Sequence, residues 1–150
     1  MVGLHVTAPA QKQVWSLAAL ALAIMYAVLV SIVYVTQLGV VIPHDLKGDG
    51  ARYAIFACCA PNHFMTGVDL LGYTMMSLST LFAAPAFENA GLGRSARIAF
   101  IANGLLAPVL LPRVFFQKLI YLGALWLVTF PLAMALLAMQ FRQALRAAPA

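Results

Sequence analysis

The chain has 150 residues, of which 64% are hydrophobic and 9% are charged, and its formal net charge at neutral pH is +5. Soluble domains average roughly half apolar and a quarter charged residues, so this composition indicates folding in lipid and excludes an ordinary soluble domain. The basic residues stand singly or in pairs between apolar blocks. This placement is typical of the ends of membrane spans and excludes a phosphate-binding stripe, and with it a nucleic-acid partner.

The first apolar block predicts a membrane span over about residues 14–42. It carries no charge and is longer than the ~20 residues that cross a bilayer, and Pro43 is expected to end the helix. It is also too long for the apolar part of a signal peptide, so we expect it to remain in the chain. Small residues recur along it at multiples of four, a spacing that lets membrane helices approach closely. This predicted packing face consists of Ala19, Ala23, Ala27, Ser31 and Gly39.

Residues 43–61 are expected to form the one substantial loop, and the two cysteines of the chain lie near its end. Cys58 and Cys59 are adjacent and His63 follows, which is a donor set of two thiols and an imidazole that suits zinc or copper(I). Their spacing differs from the CxxC motif, and adjacent cysteines in apolar sequence also serve as small buried hydrophobes. Metal binding, thiol redox chemistry and inert packing are therefore the three interpretations of this segment.

The second span is predicted over about residues 62–87, and it contains one carboxylate, Asp69. A charge inside hydrocarbon costs roughly 2.5–3.5 kcal/mol, so Asp69 requires a polar partner or water. Depth along the helices places Gln37 about level with Asp69, Tyr34 one turn deeper but within reach, and Tyr73 level with Asn103 of the next span. The predicted intramembrane polar site consists of Asp69, Gln37, Tyr34, Tyr73 and Asn103.

The predicted intramembrane polar site has two interpretations. The functional one is a proton- or cation-handling site, or a pocket for a small polar ligand, in which Asp69 titrates. The structural one is a carboxylate that fixes helix register through hydrogen bonds worth about 0.6 kcal/mol each in membrane proteins. The two differ in what Asp69→Asn does, since only the functional interpretation predicts the loss of a transport activity.

The third and fourth spans are predicted over about residues 95–112 and 119–141. Pro108 favours a kinked crossing for the third, and Pro131 is expected to kink the fourth. Four spans place both termini on one side of the membrane, which carries five basic residues against four on the other. The positive-inside rule then predicts cytoplasmic termini. The five are Lys12, Arg94, Arg97, Arg142 and Arg146, and the four are Lys47, Arg52, Arg113 and Lys118.

Motifs of known chemistry do not occur in the sequence, which contains no Gly-rich phosphate loop, nucleophile elbow or HExxH pattern. A quinone-linked thiol oxidoreductase would share a four-helix architecture, but it needs an exchangeable dithiol and a second pair to relay it. No catalytic residue is predicted, and the sequence names no cofactor.

The stretches Val68–Phe87, Phe100–Pro108 and Tyr121–Trp126 resemble uncharacterised small polytopic membrane proteins of bacteria. The resemblance implies a membrane fold and brings no activity, cofactor or catalytic residue to this chain. Together with the hydropathy, it leads us to expect a multi-pass protein of the inner (cytoplasmic) membrane.

The sequence thus predicts one domain over residues 1–150, an all-α integral membrane bundle of four transmembrane helices. The leading functional hypothesis is a non-enzymatic accessory or structural subunit of a membrane complex, or a self-associating helix bundle, with the lipid bilayer and other membrane helices as its partners. The first alternative is a small proton- or cation-coupled transporter that uses Asp69. The second is a metal or thiol-redox membrane protein that uses Cys58, Cys59 and His63.

Overall fold

The structure is a computed structural model that describes residues 1–60, 63–110, 112 and 115–147. These residues are mostly helical and contain no strand, which confirms the all-α class. Short 3-10 segments join several of the main elements. The α-helices are α1 (Val2–Thr7), α2 (Gln13–Thr36), α3 (Ile42–Lys47), α4 (Phe64–Ala83), α5 (Gly91–Gly104), α6 (Ala107–Leu110), α7 (Ile120–Gly123) and α8 (Trp126–Ala147).

Among the described residues, two helical segments are long and apolar enough to cross a membrane. Ala10–Lys47 has 38 residues and a mean hydropathy of 2.5 in its most apolar part, and Ile120–Arg146 has 27 residues and a value of 2.1. They cover the first and fourth predicted spans. The described residues therefore support a helical protein with two candidate membrane helices, and the inner-membrane location and the orientation of the termini stay predictions.

The four-span bundle is not confirmed, because the second and third predicted spans do not reach the same length and hydropathy. Helix α4 has 20 residues, but its buried side includes Thr66, Thr74, Ser77, Ser79 and Thr80 and lowers its hydropathy. Helix α5 has 14 residues, a length of about 21 Å against roughly 30 Å of hydrocarbon. It stops at Gly104, and the chain turns before α6 begins at Ala107, so the helix is interrupted ahead of Pro108 and the kinked crossing stays a prediction.

Pro43 does not end the first long helix, which continues to Lys47. Residues Gln37–Val41 form a π-helical turn in which the Ile42 N–H donates to the Gln37 carbonyl. A proline ring clashes with the carbonyl four residues earlier, and the wider π turn relieves that clash. Gly48 ends the helix with a φ of 83°, which glycine adopts without strain. Much of the predicted loop over residues 43–61 is thus helical, including a 3-10 segment at Gly50–Phe56.

Helix α4 is the central element of the packing: it lies between α2 and α5, and α8 packs on α5. Glycines lie at both of its close approaches. A Cβ on Gly72 would sit 3.2 Å from Val30 of α2, and a Cβ on Gly104 of α5 would sit 2.5 Å from the Leu81 Cβ of α4. Small residues at such crossings let helix backbones approach closely, which is how membrane helices associate.

The predicted packing face of small residues is divided between two environments. Ala19 is fully buried, and its carbonyl accepts a 2.7 Å hydrogen bond from the Ser79 hydroxyl of α4, whereas Ala23 is half-buried. A step of four residues turns an α-helix about 40° past a full turn, so the row winds around α2. Its later members therefore leave the α4 contact, and Ala27, Ser31 and Gly39 are exposed.

Replacement of Gly104 by alanine tests the α4–α5 contact. The new methyl group would lie 2.5 Å from the Leu81 Cβ and 2.9 Å from its Cα. Because a backbone atom cannot rotate away, the helices must separate, and we expect Gly104→Ala to lower the free energy of unfolding by about 1–3 kcal/mol. The measurement is a denaturant titration of the protein in detergent.

Gly67→Ala is the matched control for this change. Gly67 also lies in a helix, and a Cβ there meets nothing within 4 Å. We expect the free energy of unfolding of Gly67→Ala to equal that of the wild type or to exceed it slightly, since alanine is a better helix former than glycine. Equal stability of the two variants would contradict the close approach of α4 and α5.

Candidate functional site

The segment that carries the two cysteines is fastened to α2 by one side chain. Gln37 begins the π-helical turn, and its Nε2 donates to the Phe56 carbonyl at 2.8 Å while its Oε1 accepts from the Cys58 N–H at 2.9 Å. Both ends of the side-chain amide are therefore used by the backbone on either side of Ala57. The long first helix thereby positions a segment about twenty residues further along the chain.

The start of α4 holds the same segment from the other side. The His63 Nδ1–H donates to the Ala57 carbonyl at 3.1 Å, and the Thr66 hydroxyl donates to the Ala60 carbonyl at 2.7 Å. Between these anchors Cys59 has a φ of 71°, in the left-handed region that residues other than glycine rarely adopt. Such a conformation costs on the order of 1–3 kcal/mol and persists where the surroundings fix it, which these hydrogen bonds do here.

The segment places both thiols beside Asp69. The Cys58 and Cys59 sulfur atoms are 2.9 Å apart and share an S–H···S hydrogen bond. The two sulfurs and a carboxylate oxygen of Asp69 all lie within 4.8 Å of one another. Cys58 and Asp69 are half-buried and Cys59 is exposed. The structure thus joins residues from two sites that the sequence predicted separately.

His63 and Gln37 support this cluster from outside it. His63 is not among the three residues whose donor atoms converge, and its Nδ1 is used by the Ala57 carbonyl. Gln37 binds the backbone of the cysteine segment through both ends of its side-chain amide. Their sequence-predicted roles as metal ligand and as part of the polar site remain predictions, while their observed contacts are those of positioning residues.

The two tyrosines of the predicted polar site have different surroundings, since one packs against aromatic rings of neighbouring helices and the other is exposed. The Tyr73 ring packs 6.0 Å from Tyr26 of α2 and edge-on to Trp126 of α8 at 4.7 Å. Tyr34, by contrast, is 59% exposed. Tyr73 thus connects α2, α4 and α8 one turn below Asp69 on the same helix.

Asn103 belongs to a separate buried network. Its Nδ2 donates to the Thr80 hydroxyl at 3.0 Å, and its Oδ1 accepts from the Thr129 hydroxyl at 2.8 Å. Asn103 and Thr80 are fully buried, so these bonds satisfy polar groups that have no access to water. The network links α4, α5 and α8, and it takes the place of the Tyr73–Asn103 pair that depth alone suggested.

The sequence-based site omitted several residues that make these contacts, namely Thr66, Tyr26, Thr80 and Thr129. The signal for Thr66 and Thr80 was their position on the same side of α4 as Asp69. Thr129 carries no comparable local signal, because its partner lies in a different helix 26 residues away.

The electrostatics of the cluster keep Cys58 protonated. Burial, the hydrogen bond with Cys59 and the negative charge of Asp69 raise the pKa of the Cys58 thiol to about 12. The thiolate is the nucleophilic form of cysteine, so Cys58 is a poor nucleophile at neutral pH in this arrangement.

Comparisons with known proteins return no match, since no family model, curated protein or solved structure matches the chain. The resemblance to small polytopic bacterial membrane proteins therefore stays a prediction, as does a bacterial origin.

Alkylation with iodoacetamide tests the environment of Cys58. We expect the native Cys58 to react at pH 7 at least about a hundredfold more slowly than in the unfolded chain, because a pKa of about 12 leaves little thiolate. The rate should continue to rise about tenfold per pH unit above pH 9, where an ordinary thiol levels off. Peptide mass spectrometry separates the Cys58 adduct from the Cys59 adduct, and a native Cys58 rate that levels off near pH 9 would contradict the described environment.

Proposed function

We propose that the protein is a non-enzymatic integral membrane protein that packs against other membrane helices, either as an accessory subunit of a membrane complex or as a self-associating bundle. The observation that supports this proposal is the apolar outer surface of its two longest helices.

The most apolar parts of both candidate membrane helices lie largely on the outside of the chain. Only 17% of that part of Ala10–Lys47 and 11% of that part of Ile120–Arg146 is buried. On α2 alone, Ile24, Val28 and Val35 are each more than half exposed. Monomeric soluble proteins rarely expose contiguous apolar patches of more than a few hundred Å². Hydrocarbon and other apolar helices are the surroundings that such a surface favours.

A shallow groove on the outer side of α2 suits a neighbouring helix. Its small residues are Ala27 and Ser31, which come from the row of small residues that winds out of the α4 contact. Larger apolar side chains border them. Because small residues let a second backbone approach closely, this groove, which we call the α2 groove, favours a membrane helix as its occupant. It is lined by Ile24, Ala27, Val28, Ser31, Ile32, Val35 and Thr36.

The replacement Ala27→Leu tests this assignment. Ala27 is exposed, so a leucine there clashes with nothing inside the chain but fills the α2 groove. We expect purification of the native protein in gentle detergent, read by native mass spectrometry, to recover wild type in a fixed-ratio assembly. We expect Ala27→Leu to weaken that assembly at least about tenfold, equivalent to about 1.4 kcal/mol.

Ala138→Leu is the matched control, since it makes the same change at an exposed alanine of the other candidate membrane helix. It should leave the assembly intact. Recovery of wild type as a monomer, an equal effect of the two variants, or release of the protein from membranes by alkaline carbonate would contradict the proposal. A homo-oligomer without foreign chains would identify a second copy as the occupant and make the transporter hypothesis for Asp69 the next to test.

A further inference from the structure

Three metal-binding groups converge where the cysteine segment meets α4. Cys58 and Cys59 come from the segment before the helix and Asp69 from its second turn, and their donor atoms lie within 4.8 Å of one another. Each is a ligand type that binds divalent metal ions, and together they offer two sulfurs and one oxygen. The proposed membrane function gives this cluster no role.

The convergence is held by hydrogen bonds that two side chains outside the cluster make to the backbone of the cysteine segment. Gln37 binds the backbone at Phe56 and Cys58, and Thr66 binds the carbonyl of Ala60. The left-handed backbone at Cys59 is maintained between these anchors. Preorganised ligands lose less freedom when they bind an ion, so this support favours a ligand site over a chance meeting of side chains.

We propose that Cys58, Cys59 and Asp69 bind one thiophilic divalent metal ion of the zinc or cadmium type. A set with two sulfurs disfavours magnesium and calcium, which take oxygen ligands. Zinc accepts two cysteine sulfurs and a carboxylate oxygen in a tetrahedral shell, and water supplies the fourth ligand. The exposed Cys59 gives the ion a path from solvent.

One side-chain adjustment accompanies binding. The sulfurs lie 2.9 Å apart, whereas two sulfurs on one tetrahedral zinc, each at about 2.3 Å, are separated by about 3.8 Å. The Cys59 side chain is exposed and free of core packing, so rotation about its χ1 bond supplies this change without moving the backbone. Binding replaces two thiol protons, which pass to solvent, by two metal–sulfur bonds, and no electrons are transferred.

The assignment differs from the set of Cys58, Cys59 and His63 that the sequence suggested. His63 donates its Nδ1–H to the Ala57 carbonyl and holds the cysteine segment in place. Asp69, ten residues after Cys59, is the third group whose donor atom joins the sulfurs. The third ligand is a carboxylate oxygen in the proposed set and an imidazole nitrogen in the sequence-based set. Spectroscopy of the first coordination shell distinguishes the two.

Metal binding to the full-length protein in detergent tests the proposal, with Zn²⁺ in equilibrium dialysis and Cd²⁺ followed by its thiolate charge-transfer absorbance. We expect one ion per chain. Cys58→Ser and Cys59→Ser should each weaken binding on the order of a hundredfold, and Asp69→Asn about tenfold or more. Asp45→Asn, which removes an exposed carboxylate of α3, is the matched control and should bind as wild type does.

X-ray absorption of the wild-type zinc complex requires no variant and gives the decisive result if a substitution disturbs folding. We expect a first shell of two sulfur atoms with oxygen atoms as the remaining ligands. An imidazole nitrogen in the shell, less than one ion bound per chain, full affinity in either cysteine variant, or an equal effect of Asp45→Asn and Asp69→Asn would overturn the proposal.

Discussion

Helix α2 packs against α4 along a face of small residues, and the rest of the structure depends on this contact. A Cβ on Gly72 would lie 3.2 Å from Val30, closer than side chains ordinarily pack, and the Ser79 hydroxyl donates to the Ala19 carbonyl at 2.7 Å. Between two apolar helices a side-chain hydroxyl has few possible hydrogen-bond partners. Its bond to a backbone carbonyl of the other helix therefore satisfies a polar group at the contact. With α2 fixed in this way, its outer face carries exposed apolar residues.

The same contact determines where the long helix ends relative to α4. The π-helical turn at Gln37–Val41 lets the helix pass Pro43, and Gln37 at its start holds the cysteine segment over Asp69. Thr36, which lines the end of the α2 groove, immediately precedes Gln37. The α2 groove and the residue that holds the cysteine segment are therefore adjacent in sequence along one long helix.

Sequence reasoning succeeded where the signal was local and strong. The apolar blocks predicted the all-α class and the two helices that are long enough to cross a membrane. The cost of a charge in hydrocarbon directed attention to Asp69, whose role stays a prediction. It failed at Pro43, because the strain of a proline can be absorbed by a π turn that leaves no sequence signature. It also treated the row from Ala19 to Ser31 as one face, although a four-residue step winds about 40° around the helix each time.

The sequence did not predict that Asp69 lies beside the two cysteines, and the reason here is different. Their proximity depends on a left-handed backbone at Cys59 and on a glutamine from another helix, and neither follows from the spacing of the residues that converge. Asn103 illustrates the same limit, since its partners Thr80 and Thr129 belong to two other helices. Depth along each helix orders residues into layers, but the rotation of each helix decides which of them touch.

The most direct test of this account is the hydrogen exchange rate of the Cys58 amide, measured by NMR in detergent micelles. We predict slow exchange in the wild-type protein, because this N–H donates to the Gln37 side chain. Gln37→Leu should accelerate it about fivefold or more, as expected for loss of a hydrogen bond worth about 1 kcal/mol. Thr36→Val, which removes a neighbouring hydroxyl bonded only within its own helix, should leave it unchanged. A Cys58 amide that already exchanges in the wild type as fast as an exposed one would contradict the link between α2 and the cysteine segment on which the site is built.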